Sequence, residues 1–289
     1  MIATFKGQTF ADVYQELLTE LYSDPHCVSN PRGMACKEML NVSLHIEDPE
    51  FPLYENERRS SQLRYIAGEL LWYFTGRNDI DFISKYSKFW AHLDNGDGTV
   101  NSAYGNLIFR EENEHGVSQW QWAYDSLVAD KDTRQAVLHY NKPSHQFKGN
   151  KDFVCTMYSN FHIRNNKLYL KTAMRSNDAI LGTPTDIAFF CFLQQQMHRL
   201  LLPHYPKLEL GSYTHTVDSM HIYERHFDLV KDMLANDFQA FSFPKIDHNL
   251  VDYKGIPSNT LINTVYSIVN GSILNPSTKI MTWIYDNAK

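Results

Sequence analysis

A chain of 289 residues with 43% hydrophobic and 21% charged residues has the balance of a globular protein. That excludes disorder and coiled coil, and the length suffices to bury a core without disulfide or metal staples. A formal charge of −6 excludes a generally basic nucleic-acid binder but leaves room for a local basic pocket around one phosphate.

Val13, Leu17, Leu18 and Leu21 recur at helical spacing and predict a helix over 10–22, ended before Pro25. A second helix is predicted over 60–76: Ser60 or Ser61 can cap it, Leu63, Ile66, Leu70 and Phe74 form its stripe, and Gly76 stops it. A short helix is expected over 79–90. Asp94-Asn95-Gly96-Asp97-Gly98 has the look of a calcium loop, but Gly96 stands where a side-chain oxygen is needed, so it reads as a solvated turn. A further helix is expected over 120–129. Strands are predicted over 136–140, 153–163 and 167–172, the last two separated by the turn signal Arg164-Asn165-Asn166. Pro184 opens a long apolar helix to about Leu202, with Pro203 beyond it. Residues 221–234 read as the last helix and 280–285 as a terminal strand. Helices and strands interleave without strict alternation, which argues an α+β fold. No repeat, low-complexity tract or linker divides the chain, so 1–289 reads as one domain. No run of 18 apolar residues suggests a membrane span, and residues 1–12 lack the apolar core of a signal peptide.

Cys27, Cys36, Cys155 and Cys191 form no C-x-x-C pair and are expected to be reduced, each by default a small buried hydrophobe. His215, His221 and His226 fall in one segment, but neither an H-E-x-x-H pattern nor a cysteine accompanies them, so no metal site is expected.

The informative blocks are Pro31-Arg32-Gly33, Glu69-Leu70-Leu71-Trp72, Trp90 with Tyr104-Gly105, and Asp132-Thr133-Arg134. They continue with Asp152-Phe153-Val154-Cys155-Thr156, Met174-Arg175-Ser176-Asn177-Asp178, Leu181-Gly182-x-Pro184-x-Asp186-Ile187-Ala188 and His221-x-Tyr223. In this order and at these spacings the sequence resembles the thymidylate synthase superfamily over most of its length. The resemblance implies a three-layer α+β fold with a large mixed sheet packed by helices, one sheet face lying at a dimer interface. It also implies transfer of a one-carbon unit from 5,10-methylenetetrahydrofolate, as co-substrate and without a metal, to C5 of a pyrimidine nucleotide.

The chemistry suits the residues. Pyrimidine C5 is a poor nucleophile until a thiolate adds at C6 and makes C5 an enamine carbon. Cys155 stands at the family's nucleophile position, and arginines gathered around a phosphate would lower its pKa. The resemblance makes Glu69 a water-ordering carboxylate and places Tyr104 with it among the catalytic residues. Arg32, Arg134, Arg175 and Ser176 become the phosphate grip, with one or two arginines supplied by the partner of a homodimer. Gln135 stands where the synthases have a second arginine. His221 and Tyr223 fall on the sugar hydroxyl, and Asp178 and Trp90 on the folate.

Asp186 occupies the position at which the synthases read uracil with an asparagine. A carboxyl suits cytosine if it shares one proton with N3 and its other oxygen accepts from N4–H; an Asp before an apolar helix is also a common N-cap. Thr156 after the cysteine and Met174 before Arg175-Ser176 point the same way, toward the phage-type deoxycytidylate hydroxymethylases. Asn101-Ser102-x-Tyr104-Gly105 and His145-Gln146-Phe147 strengthen that likeness. The expectation is 5-hydroxymethylation of dCMP with water as final donor, in a cytoplasm, a host's if phage-encoded, with no nucleic-acid or membrane partner. Reduction to a methyl group, action on CMP, and a non-catalytic binding protein of the same fold stay open.

Overall fold

Burial alternates along β1 (Ala3–Gly7) in the computed structural model, which describes residues 2–289: Ala3 and Phe5 point inward, Thr4 and Lys6 outward. The chain continues through α1 (Phe10–Ser23), β2 (Cys27–Ser29), β3 (Cys36–Ile46), β4 (Leu53–Glu55), α2 (Leu63–Phe74), α3 (Ile80–Ile83), α4 (Tyr104–Phe109) and α5 (Gln119–Ala129). Then come β5 (Val137–His139), β6 (Thr156–Arg164), β7 (Lys167–Met174), β8 (Asn177–Asp178), α6 (Thr183–Leu201), β9 (Glu209–Tyr223), α7 (Phe227–Leu234), β10 (Gln239–Phe241), α8 (Asn259–Asn270) and α9 (Lys279–Ala288). This is an α+β fold. Its residues divide into two compact units, each assembled from separate stretches of sequence.

The first unit comprises the N-terminal residues up to Ser61, Lys167–Gln194 and Glu209–Phe243. Its core is a mixed sheet. β3 pairs parallel with β1 and antiparallel with β2 and β9; β9 pairs parallel with β7 and β8. Asn41 takes a left-handed φ of 54° and shifts the phase of β3. Met39 before it and Val42, Leu44 and Ile46 after it are therefore all buried. α1 lies on β1 and β3. Its capping box joins Thr9 to Asp12, and Phe10, Val13, Tyr14, Leu17, Leu18 and Leu21 fill the space beneath it. β4 and β10 form a separate antiparallel pair.

The second unit comprises Gln62–Asn166, Gln195–Leu208 and Pro244–Lys289. α2 buries an unbroken run from Ile66 to Phe74, as a central helix must. It packs on α4 and α9. The approach to α4 is backbone to backbone: a Cβ on Gly105 would stand 1.8 Å from the Tyr73 carbonyl oxygen. β5 and β6 pair antiparallel. Among the described residues, no helix is long and apolar enough to cross a membrane.

Several predicted elements are corrected. Residues 280–285 form a helix rather than a strand: Ile280, Met281, Ile284, Tyr285 and Ala288 lie at helical spacing and Thr278 caps them, so periodicity outweighs the β-branched and aromatic composition. The segment 221–234 begins as the end of β9, and α7 starts only at Phe227 after a short 3-10 turn. The helix expected over 79–90 splits into α3, capped by Asp79, and a 3-10 segment at Lys88–Leu93. Residues 153–155 precede β6 rather than belong to it. Asp94 does build a turn, its Oδ1 accepting from the Gly96 and Gly98 amides. Asn165 and Asn166 take left-handed φ values of 51° and 59°, as a two-residue turn requires.

Candidate active site

The predicted site residues divide between the two units. In the second unit Cys155 is half-buried at the end of the loop leading into β6. Three polar side chains pin that loop. Asp152 is buried and accepts from the Ser102 amide at 2.6 Å and from its hydroxyl. Asn101 donates to the Asp152 carbonyl at 2.9 Å, and Asn141 to the Val154 carbonyl at 2.8 Å. Burial raises the Asp152 pKa, and the Ser102 hydrogen bonds oppose the rise.

Beyond Cys155, the Thr156 hydroxyl donates to Tyr104 Oη at 2.8 Å. The Tyr104 ring stacks on Tyr73, centroids 5.3 Å apart. Tyr73 and Tyr65 both donate to Glu69 Oε1, at 3.3 and 2.7 Å. Trp90 Nε1–H in turn donates to Tyr65 Oη at 3.1 Å, and its indole packs 5.0 Å from that of Trp72. Tyr65, Glu69 and Tyr73 repeat every four residues along α2 and so share a face. Glu69 is thus a buried carboxyl whose Oε1 takes two phenol hydrogen bonds, as a buried polar group needs. Trp90, Glu69 and Tyr104 belong to one aromatic, hydrogen-bonded shell. Arg134 stands exposed in the segment before β5.

In the first unit Arg175 and Ser176 connect β7 to β8 and are half-buried. β8 pairs with β9, placing Asn177 opposite Met220 and Asp178 opposite His221. Asp178 Oδ1 accepts from the Ile180 and Leu181 amides at 2.8 and 3.0 Å, which fixes its side chain. His221 and Tyr223 touch edge to face, 4.8 Å between centroids. Arg32 stands exposed in the turn between β2 and β3 at a left-handed φ of 55°. The start of β3 just beyond it pairs Cys36 with Tyr223.

Asp186 lies in the first turn of α6. Its carboxyl keeps a partly open face, yet the surrounding protein desolvates it strongly. Burial pushes its pKa from 3.8 up to about 7, against the lowering effect of an Asn177 hydrogen bond. Asn177 Nδ2 donates to Asp186 Oδ2 at 2.8 Å. Asn177 Oδ1 receives the Thr183 hydroxyl at 2.7 Å and His215 Nε2 at 3.2 Å. His215 Nδ1 lies 2.8 Å from Tyr213 Oη. Burial drives the His215 pKa down to about 3, so the ring is neutral.

The sequence reading assigned no role to Tyr65, Tyr73, Asn141, Thr183 or Tyr213. It met Asp152 and Asn177 only as members of motifs, and His215 only as a rejected metal ligand. A signal existed for two of these groups. The four-residue spacing of Tyr65, Glu69 and Tyr73 puts them on one helix face, and Tyr213 and His215, two apart on a strand, share a side of the sheet.

The fold is α+β, with a half-buried thiol at Cys155 and a buried carboxyl at Glu69 in one unit and the half-buried Asp186 in the other. The family model for thymidylate synthase matches residues 12–262, and the chain belongs to the thymidylate synthase family. It is 32% identical over 173 residues to the deoxycytidylate 5-hydroxymethyltransferases of Enterobacteria phages T6 and T4, covering 57% of this chain and 69% of each relative. To the deoxyuridylate hydroxymethyltransferase of Bacillus phage SP01 it is 28% identical over 230 residues, 76% of this chain but only 58% of that relative. The protein is therefore a one-carbon transferase of the thymidylate synthase type, a family whose co-substrate is methylenetetrahydrofolate.

Proposed function

We propose that the protein 5-hydroxymethylates dCMP, joining the methylene of 5,10-methylenetetrahydrofolate to C5 with a hydroxyl from water and releasing tetrahydrofolate. The observation that carries the reading is Asp186. With a pKa near 7 its carboxyl divides between protonated and charged forms at neutral pH. It can therefore donate to cytosine N3 while its other oxygen accepts from N4–H. Electron density pushed toward N3 by thiolate addition is met by a proton already in place. Overall similarity does not select the base, since the relatives include a deoxycytidylate and a deoxyuridylate enzyme by name.

In this reading Cys155 adds to C6, and the Asp152, Asn101 and Asn141 hydrogen bonds hold its loop in place. Bound folate supplies the electrophilic carbon. Glu69, held by Tyr65 and Tyr73, orders the water that becomes the hydroxyl, and Tyr104 lines the same shell. Asp178 holds the pterin and Trp90 packs near it. Arg32, Arg134, Arg175 and Ser176 grip the phosphate, while His221 and Tyr223 receive the sugar hydroxyl. The active form is a homodimer in which a partner arginine completes the phosphate site. The match over residues 12–262, which enters every stretch of both units but leaves out β1, most of α8 and α9, supports one catalytic domain.

The test is mass analysis of the product from dCMP and from dUMP with methylenetetrahydrofolate, with dihydrofolate absorbance followed in parallel. Hydroxymethyl-dCMP without dihydrofolate is the expected outcome. Methylated product with dihydrofolate, or turnover of dUMP alone, overturns the assignment.

A further inference from the structure

Four side chains behind Asp186 form a directed hydrogen-bond chain whose polarity can be worked out atom by atom. Asn177 Oδ1 can only accept, so His215 Nε2 must carry a hydrogen across the 3.2 Å between them. A neutral imidazole with hydrogen on Nε2 has a bare Nδ1, so the Tyr213 phenol 2.8 Å away is the donor to it. The Thr183 hydroxyl, at 2.7 Å, is a second donor to the same Asn177 oxygen. Two donors on Oδ1 fix the amide's orientation, leaving Nδ2–H to point at Asp186 Oδ2, 2.8 Å away. Tyr213, Thr183 and His215 have no exposed surface, and Asn177 is 4% exposed, so water does not compete for these bonds.

We propose that His215 is a positioning residue for base selection: with Tyr213 and Thr183 it locks the Asn177 amide so that the proton of Asp186 is held preferentially on Oδ1. Oδ2 accepts from that N–H, and an oxygen that carries its own hydrogen is the poorer acceptor, so the Asn177 bond favours the proton on Oδ1. Oδ1 then carries the proton to cytosine N3, and Oδ2 takes the N4–H with its second lone pair. Uracil, held in the same orientation by its sugar and phosphate, needs the reverse: a proton on the oxygen facing O4 and a bare oxygen facing N3–H. The locked amide disfavours that arrangement, because Oδ2 would have to carry the proton while also accepting from Asn177. The chain of bonds thus adds rejection of uracil to the acceptance of cytosine that Asp186 provides. This inference rests on the dCMP reading and extends it to residues that never touch the base.

The experiment measures kcat/KM for dCMP and for dUMP in wild type, His215→Phe, His215→Gln and Thr183→Val. His215→Phe keeps a ring of similar size but removes the donor, and the dCMP:dUMP ratio is expected to fall about tenfold or more, the scale of one buried hydrogen bond. Thr183→Val, near-isosteric, is expected to lower the ratio in the same direction. His215→Gln keeps an N–H donor and is expected to recover most of the ratio. A purely structural role predicts equal losses with both nucleotides and no recovery by Gln; an unchanged ratio in His215→Phe overturns the proposal. Circular dichroism reports folding, and should His215→Phe not fold, an unchanged ratio in Thr183→Val overturns it instead. Wild-type enzyme that prefers dUMP fails the dCMP reading itself, a result separate from any variant.

Discussion

Asp186→Asn removes a titrating group from a desolvated position, and its effect on stability can be worked out without reference to catalysis. The folded pKa near 7 lies about 3 units above the ordinary 3.8. The native state therefore keeps its proton over a range in which the unfolded chain has released it. Between pH 4 and 7 the native state binds more protons than the unfolded state, so this group's contribution to stability falls as pH rises and levels off above 7. At 1.36 kcal/mol per unit the full swing is about 4 kcal/mol, and a carboxyl with a partly open face should realise roughly half of that. The amide does not titrate, and its oxygen can still accept from Asn177. Stability of the variant minus that of wild type should then rise by about 2–4 kcal/mol from pH 4 to pH 8. Urea unfolding of both proteins across that range measures it. A difference that stays flat means the carboxyl is not desolvated, and the protonated-Asp argument for cytosine loses its basis. The same variant should shift kcat/KM from dCMP toward dUMP, since an amide matches O4 and N3–H but cannot share a proton with cytosine N3. Sites built on such bonds discriminate by up to about 10⁴–10⁵, so the ratio should move greatly rather than marginally.

Cys155→Ser should abolish both turnover and exchange of the C5 hydrogen with solvent, because a serine hydroxyl is too weak an acid to replace the thiolate; exchange at the wild-type rate refutes the nucleophile assignment. Gly105→Ala should prevent folding or cost several kcal/mol, on the order of the worst overpacking, because its Cβ would collide with the Tyr73 carbonyl; a melting temperature within a few degrees of wild type contradicts the helix contact. His215→Gln should blunt acid unfolding. The wild-type imidazole stays neutral in the fold down to about pH 3 while the unfolded one charges near 6.5, so stability drains away as pH falls between those values; equal acid midpoints in the two proteins refute it. Mixing Arg134→Ala with Cys155→Ser subunits should restore one working site per hybrid dimer, and a fully active monomer in the ultracentrifuge refutes the shared site.

What the sequence made legible was whatever is encoded locally. The stripe Val13, Leu17, Leu18 and Leu21 sits on the buried face of α1, and the Pro184 helix lies within a residue of its expected bounds. Local chemistry at a cap or turn is equally readable, as with Asp94 and its two glycine amides. Failures came where composition and periodicity disagreed, as in 280–285, or where a partner strand carried the pairing information. β3 is long, but its inward residues change phase at Asn41, so no simple alternation marks it. Its register against β9 joins residues more than 160 positions apart.

The same division runs through the site. Cys155, Asp186 and the arginines are visible as motif positions because each has a role tied to its own residue type. The surroundings that set their chemistry are not. Asp186 alone reads equally well as a helix cap; its pKa near 7 comes from burial that no local pattern announces. Asn177 lies nine residues before it, and His215 and Tyr213 come from a different strand, reached only after α6 and its connection have been crossed. A histidine counted among three in one segment invites a metal reading. Placed at full burial between a phenol and an amide, it instead becomes a neutral relay with one permitted tautomer. The polarity of that relay is set by an acceptor-only oxygen on Asn177, so one atom type, not the histidine itself, decides which oxygen of Asp186 is the favoured place for the proton.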